Sequence, residues 1–107
     1  MRRVSRRVPM DVLLNHRFEG MPYLVRSRDV SMTGIFVERV LSPHFRHGSR
    51  VVLEFALPGE ERPIWADAQI MRSEGEGLGL RFVNLSPRAS SKIKSYIDGA
   101  PSVVTAS

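Results

Sequence analysis

The N-terminal segment carries arginines whose type and spacing suit the capture of an anion. Arg2, Arg3, Arg6 and Arg7 supply four of the five net positive charges of the 107-residue chain, so its basicity is concentrated in one arm. A duplex-binding protein generally spreads such charges over a face, because its affinity comes from neutralising many phosphates at once. The clustering of the arginines therefore favours a compact anion as the ligand.

A short turn further along the chain offers complementary chemistry in the stretch Asp29-Val30-Ser31-Met32-Thr33-Gly34. Asp29 supplies a carboxylate acceptor and Ser31 a hydroxyl. Gly34 suits a tight bend, with a positive φ as one option, and would let a ligand approach the backbone without a Cβ in the way. Asp and Ser followed by Gly are also common turn residues, so this stretch alone does not establish a function.

The two features combined, with a predicted strand hairpin between them, resemble the PilZ family of bacterial cyclic di-GMP receptors. The resemblance continues through Leu57-Pro58-Gly59 and Gly79-Leu80-Arg81-Phe82 and covers roughly residues 2 to 98. It implies a six-stranded barrel with a C-terminal helix, and cyclic di-GMP as ligand with no further cofactor. It also implies an effector protein as partner, in motility, exopolysaccharide or developmental machinery.

The residue types suit cyclic di-GMP, which carries two guanines and two phosphates. An arginine fork matches the O6 and N7 acceptors of guanine, or a phosphate, bidentately. The Asp29 carboxylate matches the N1–H and N2–H donors on the opposite edge, and Ser31 can donate to phosphate or base. We therefore expect the ligand to be bound by Arg2, Arg3, Arg7, Asp29, Ser31 and Gly34, with Arg6 as a further candidate.

The PilZ family has two arginines spaced as Arg-x-x-x-Arg in this arm, and both Arg2/Arg6 and Arg3/Arg7 have that spacing, so the register of the arm has two solutions. The family's second arginine usually stands directly before the apolar stretch that begins the first strand, and Arg7 precedes Val8-Pro9-Met10. We therefore prefer Arg3 and Arg7, with Arg2 as an auxiliary phosphate contact. Because the arm has no core of its own, we expect the ligand to order it.

Alternating apolar residues predict the elements that must position these groups. The predicted strands lie at residues 8–18, 21–28, 35–38, 51–57, 64–70 and 78–82. Short, regularly spaced strands in a small chain favour a closed antiparallel barrel, all-β apart from one helix predicted over 87–98. The domain prediction is a flexible ligand-binding arm at 1–8, a barrel with its helix at 8–99, and a disordered tail at 100–107.

Composition excludes several classes of protein. Without cysteine there is no disulfide scaffold, thiolate zinc site or cysteine nucleophile. No apolar run approaches the roughly 18 residues of a membrane span. We expect a cytoplasmic binding protein that is not an enzyme, with no metal and no membrane partner. The Gly75, Gly77 and Gly79 spacing predicts a hairpin turn and not a phosphate loop, because it lies between two strands.

Two other functions stay open. A small basic barrel can bind single-stranded nucleic acid through a charged groove and stacking aromatic residues, although only 7% of this chain is aromatic. A PilZ domain that has lost its ligand could instead act as an adaptor in protein interaction. Neither a lost arginine nor a broken turn motif is visible in the sequence, which favours the receptor.

Overall fold

The computed structural model describes residues 6–18, 20–38, 47–74 and 77–100. No helix within these ranges is long and apolar enough to cross a membrane. In chain order, the elements are β1 (Val8–Pro9), β2 (Leu13–Phe18), β3 (Met21–Val30), β4 (Gly34–Glu38), β5 (Arg50–Phe55), β6 (Ile64–Glu74), β7 (Gly77–Leu85) and α1 (Pro87–Gly99).

Six of the strands close into an antiparallel barrel. Around the ring, β2 pairs with β3, β3 with β4, β4 with β7, β7 with β6, β6 with β5, and β5 with β2. The extra strand, β1, lies beside β3. The predicted all-β architecture, a six-stranded barrel with one C-terminal helix, is therefore confirmed. Closure matters because an open sheet would present unpaired edge strands.

The predicted first strand, 8–18, is divided into β1 and β2. The interruption coincides with Ser27 of β3, whose hydroxyl donates to the carbonyl of Met10 and accepts from the amide of Val12 at 3.0 Å. A side chain thus replaces part of the backbone ladder. The alternation nevertheless continues across the break, since Val8, Met10 and Leu14 are all buried.

The core lies inside the barrel and under α1. Its buried apolar side chains from the strands and the connecting segments are Val8, Met10, Leu14, Val25, Val30, Ile35, Val37, Val51, Leu53, Phe55, Leu57, Ile64, Ala66, Ala68, Ile70, Leu78 and Leu80. Helix α1 adds Ala89, Ile93 and Ile97. Ser86 caps the helix by accepting from the Ala89 amide at 3.0 Å, and Pro87 occupies the first turn, as its fixed φ favours.

His16 of β2 is a titratable side chain in this core. It is fully buried, and its ring lies edge-on to that of Tyr23, with centroids 6.3 Å apart. Burial lowers the pKa of His16 from 6.5 to about 4, because the charged imidazolium loses its hydration. The folded protein therefore keeps His16 neutral at a pH where the unfolded chain would protonate it.

This difference predicts a pH-dependent stability. Between pH 6.5 and about 4 the unfolded chain binds a proton at His16 that the folded chain does not, so stability falls as the pH falls through this window. The loss should reach about 3 kcal/mol. Urea unfolding of the wild type and of His16→Leu, measured from neutral to acidic pH, should show a steeper acid loss in the wild type. Parallel pH profiles would contradict the burial of a neutral histidine.

Candidate functional site

Strand β1 fixes the end of the arginine arm on the barrel. Val8 lies opposite Val30 and Pro9 lies opposite Asp29 in the antiparallel pairing with β3. Because side chains alternate along a strand, the burial of Val8 directs its neighbours Arg7 and Pro9 to the outer face. Arg7 thereby becomes a diagonal neighbour of Asp29, within reach of a long side chain.

Arg7 and Asp29 form an ion pair on this outer face. The Nε and Nη2 atoms of Arg7 lie 2.8 and 2.7 Å from Oδ1 of Asp29. The second carboxylate oxygen, Oδ2, accepts no hydrogen bond from the residues that the structure describes. Both side chains are partly exposed, at 46% and 35%, so a molecule from solvent can reach them.

Ser31 holds the turn that follows Asp29. Its side chain is fully buried, and its Oγ accepts from the amides of Thr33 at 3.1 Å and Gly34 at 3.2 Å. The Ser31 amide in turn donates to the carbonyl of Gly34 at 2.8 Å. The hydroxyl therefore satisfies the backbone of the turn, whereas Thr33, at the tip, is exposed.

Gly34 has a structural role in the pairing of β4 with β7. Its φ is not positive; within the described residues, positive φ belongs to Gly20, Gly48 and Gly59. A Cβ at Gly34 would lie 2.3 Å from the carbonyl oxygen of Leu80 on β7. A side chain at position 34 would therefore clash with the neighbouring strand, so Gly34 lets β4 and β7 come close enough to pair.

The other arginines of the arm differ in position. Arg6 points away from Asp29 and donates from Nη1 to the carbonyl of Ile97 at 2.9 Å and from Nη2 to that of Ala100 at 3.2 Å. It therefore binds the C-terminal end of α1, where backbone carbonyls have no partner within the helix. Arg2 and Arg3, which sequence analysis placed in the site, lie outside the described residues.

A concavity on the outer face of the barrel adjoins the ion pair. Its volume is about 220 Å³. The residues that line it come from the arm and from β4, β6, β7 and the turn before β4: Arg7, Thr33, Gly34, Phe36, Met71, Arg72, Gly79, Leu80 and Arg81. Of these, sequence analysis had proposed only Arg7 and Gly34, so Arg72 and Arg81 are new guanidinium groups beside the predicted site.

Two glycines of β7 leave room for side chains that line this concavity. A Cβ at Gly77 would lie 2.1 Å from ring carbons of Phe36, and one at Gly79 would lie 3.2 Å from the Arg72 side chain. β6 and β7 form the predicted hairpin, with Gly77 opposite Glu74 at its end, whereas Gly79 lies within β7 and Gly75 lies outside the described residues. Side chains of the neighbouring strands β4 and β6 occupy the space above Gly77 and Gly79.

Comparison with known proteins places this arrangement in a family. A family model described as the PilZ domain matches residues 1–99. The chain belongs to the PilZ domain family. None of the curated proteins compared with this PilZ domain matches it.

Solved structures share the fold of this PilZ domain at low sequence identity. MotI/DgrA, the inhibitor of motility of Bacillus subtilis, gives a TM-score of 0.78 at 23% identity, over 92% of this chain and 50% of that one. The PilZ domain of YcgR from Escherichia coli, solved with c-di-GMP, gives a TM-score of 0.77 at 20% identity, over 94% of this chain and 92% of that one. The MrkH–c-di-GMP complex of K. pneumonia gives a TM-score of 0.70 at 19% identity, over 91% of this chain and 51% of that one. The chain thus spans about half the length of MotI and MrkH.

The close approach of β4 and β7 yields a prediction about stability. Gly34→Ala should lower the free energy of unfolding by about 2 kcal/mol, because the added methyl group must displace the Leu80 carbonyl. Gly99→Ala is the matched control, since a Cβ there meets nothing within 4 Å. Urea unfolding measures both. Equal midpoints for the two variants would show that the contact does not constrain the sheet.

Proposed function

We propose that this PilZ domain is a receptor for cyclic di-GMP and not an enzyme. The observation that carries the proposal is the Arg7–Asp29 pair, 2.7 Å apart and half-exposed beside a concavity lined by further arginines. YcgR and MrkH, whose structures contain c-di-GMP, support it through the shared fold. The ligand would lie over the concavity with one guanine at the ion pair.

The pair presents both kinds of group that guanine needs. Arg7 bonds Asp29 through Nε and Nη2, which leaves Nη1–H and the second Nη2–H, on the other edge of the guanidinium, for the O6 and N7 acceptors. Oδ2 of Asp29 can accept from N1–H and N2–H of the same or the second base. The ion pair holds the two groups in fixed relation before the ligand arrives, which lowers the ordering cost of binding.

The contacts of Arg6 support the Arg3/Arg7 register for the ligand. Arg6 donates to two carbonyls at the end of α1, on the side of the arm away from Asp29, whereas Arg7 bonds Asp29 directly. Arg3 lies four residues before Arg7 and would supply the second guanidinium. In this proposal Ser31 and Gly34 act by shaping the turn that presents Asp29, and Arg2 contacts phosphate.

Calorimetric titration with cyclic di-GMP tests the site. The wild type should bind saturably, and Arg7→Ala and Asp29→Ala should each weaken binding by about 100-fold, the loss of a charge-assisted bidentate contact. Arg7→Lys should be nearly as damaging, because ammonium lacks the planar fork. Arg88→Ala is the control, since Arg88 bonds the Pro63 carbonyl away from the concavity. GTP should not compete with cyclic di-GMP for the site. Undiminished affinity in the Arg7 and Asp29 variants would exclude the site.

We further propose that the bound state is transmitted to an effector protein through the C-terminal helix. Arg6 and Arg7 are adjacent in the chain, yet one binds the end of α1 and the other binds Asp29. Tyr96 of α1 adds a second link, because its hydroxyl donates to the carbonyl of Pro9 at 2.7 Å. A ligand that immobilises Arg7 therefore also immobilises the residues that bind α1.

Amide hydrogen exchange tests this coupling. Cyclic di-GMP should increase protection of residues 2–8 and of the last turn of α1, where the Ala100 amide bonds the Ile97 carbonyl. Arg6→Gln should bind the ligand with nearly wild-type affinity but lose the added protection at the helix end. Equal protection with and without ligand, or an unchanged response in Arg6→Gln, would refute transmission through Arg6.

A further inference from the structure

The concavity beside Arg7 is also lined by two guanidinium groups that belong to neither of the predicted motifs. Arg72 comes from β6 and Arg81 from β7. Arg81 is positioned by Gln69, its cross-strand partner, since its Nη2 donates to Oε1 of Gln69 at 3.2 Å. The side chain of Arg72 lies across Gly79, the residue opposite it on β7.

A β-bulge explains why Arg72 lies on this face. Ile70 is buried, so regular alternation would also direct Arg72 into the core. The register shifts between Ile70 and Arg72, however, and the extra residue reverses the alternation. Met71 and Arg72 consequently both line the outer concavity. Bulges recur next to functional sites because they redirect a side chain in this way.

The charge on the lining favours an anion. It contains Arg7, Arg72 and Arg81, and no carboxylate among the described residues. Asp29, the carboxylate beside it, is bonded to Arg7. Exposed arginines on strands are often only solvated, but three guanidinium groups around a single concavity of about 220 Å³ raise the positive potential there, which favours an anion.

We propose that Arg72 and Arg81 form a phosphate subsite of the same binding site. The subsite takes a phosphodiester of the ligand whose guanine is held at Arg7 and Asp29, through the bidentate contacts that guanidinium makes with phosphate oxygens. This inference rests on the proposed function and adds two residues to it. Arg7 lines the concavity together with Arg72 and Arg81, so one ligand molecule can reach all three.

Charge-neutral substitutions test the subsite. Arg72→Gln and Arg81→Gln should each weaken cyclic di-GMP binding by about tenfold, and the double variant by about 100-fold, with a weaker dependence of affinity on salt. Arg88→Gln removes the same charge outside the concavity and should leave affinity unchanged. Circular dichroism and urea unfolding establish that each variant is folded. Arg72 and Arg81 variants with the affinity of Arg88→Gln would overturn the proposal.

A second probe separates this inference from the proposed function. If the wild type does not bind cyclic di-GMP, the receptor function fails, and inorganic pyrophosphate then tests the subsite alone. Its titration, followed by NMR of the arginine Nε–H groups, should give saturable shifts at Arg72 and Arg81 and none at Arg88. Shifts of equal size at all three arginines, or no shift, would show that the concavity holds no anion subsite.

Discussion

The burial of Val8, on β1 beside β3, is the constraint on which the proposed site depends. Burying an aliphatic side chain contributes roughly 2 kcal/mol, whereas an exposed ion pair such as Arg7–Asp29 contributes at most about 1 kcal/mol. The apolar contact therefore anchors the arm, and the ion pair follows from it. Since alternation places Arg7 opposite in direction to Val8, the anchor also determines that the guanidinium meets the carboxylate.

With Val8 fixed in the core, the two adjacent arginines make different contacts. Arg7 bonds Asp29 on the outer face of the barrel, while Arg6 bonds the carbonyls at the end of α1. An arm held at both points links the proposed ligand site to the helix without any rearrangement of the barrel core. The turn at Ser31 is equally rigid, because its buried hydroxyl satisfies two backbone amides. The described part of the proposed site is thus preformed.

Sequence alone could predict what depends on local pattern. Apolar alternation gave the six barrel strands, and the capping residues gave the helix, because both follow from spacing along the chain. The motifs predicted that Arg7 and Asp29 serve one ligand, but not that their side chains form an ion pair without it. The sequence does not reveal the three-dimensional register, so it could place the β6–β7 hairpin but not show that the Phe36 and Arg72 side chains cover Gly77 and Gly79. The bulge before Arg72 was hidden for the same reason, since simple alternation predicts a buried position.

A crystal structure of the domain with cyclic di-GMP is the most direct test of the central claim, that the arm and the turn grip one ligand together. We expect a guanine bonded by the Arg7 fork and by Oδ2 of Asp29, with Val8 still buried beside β3. A ligand bound elsewhere on the barrel, or one that contacts the arm while Asp29 faces only solvent, would contradict it.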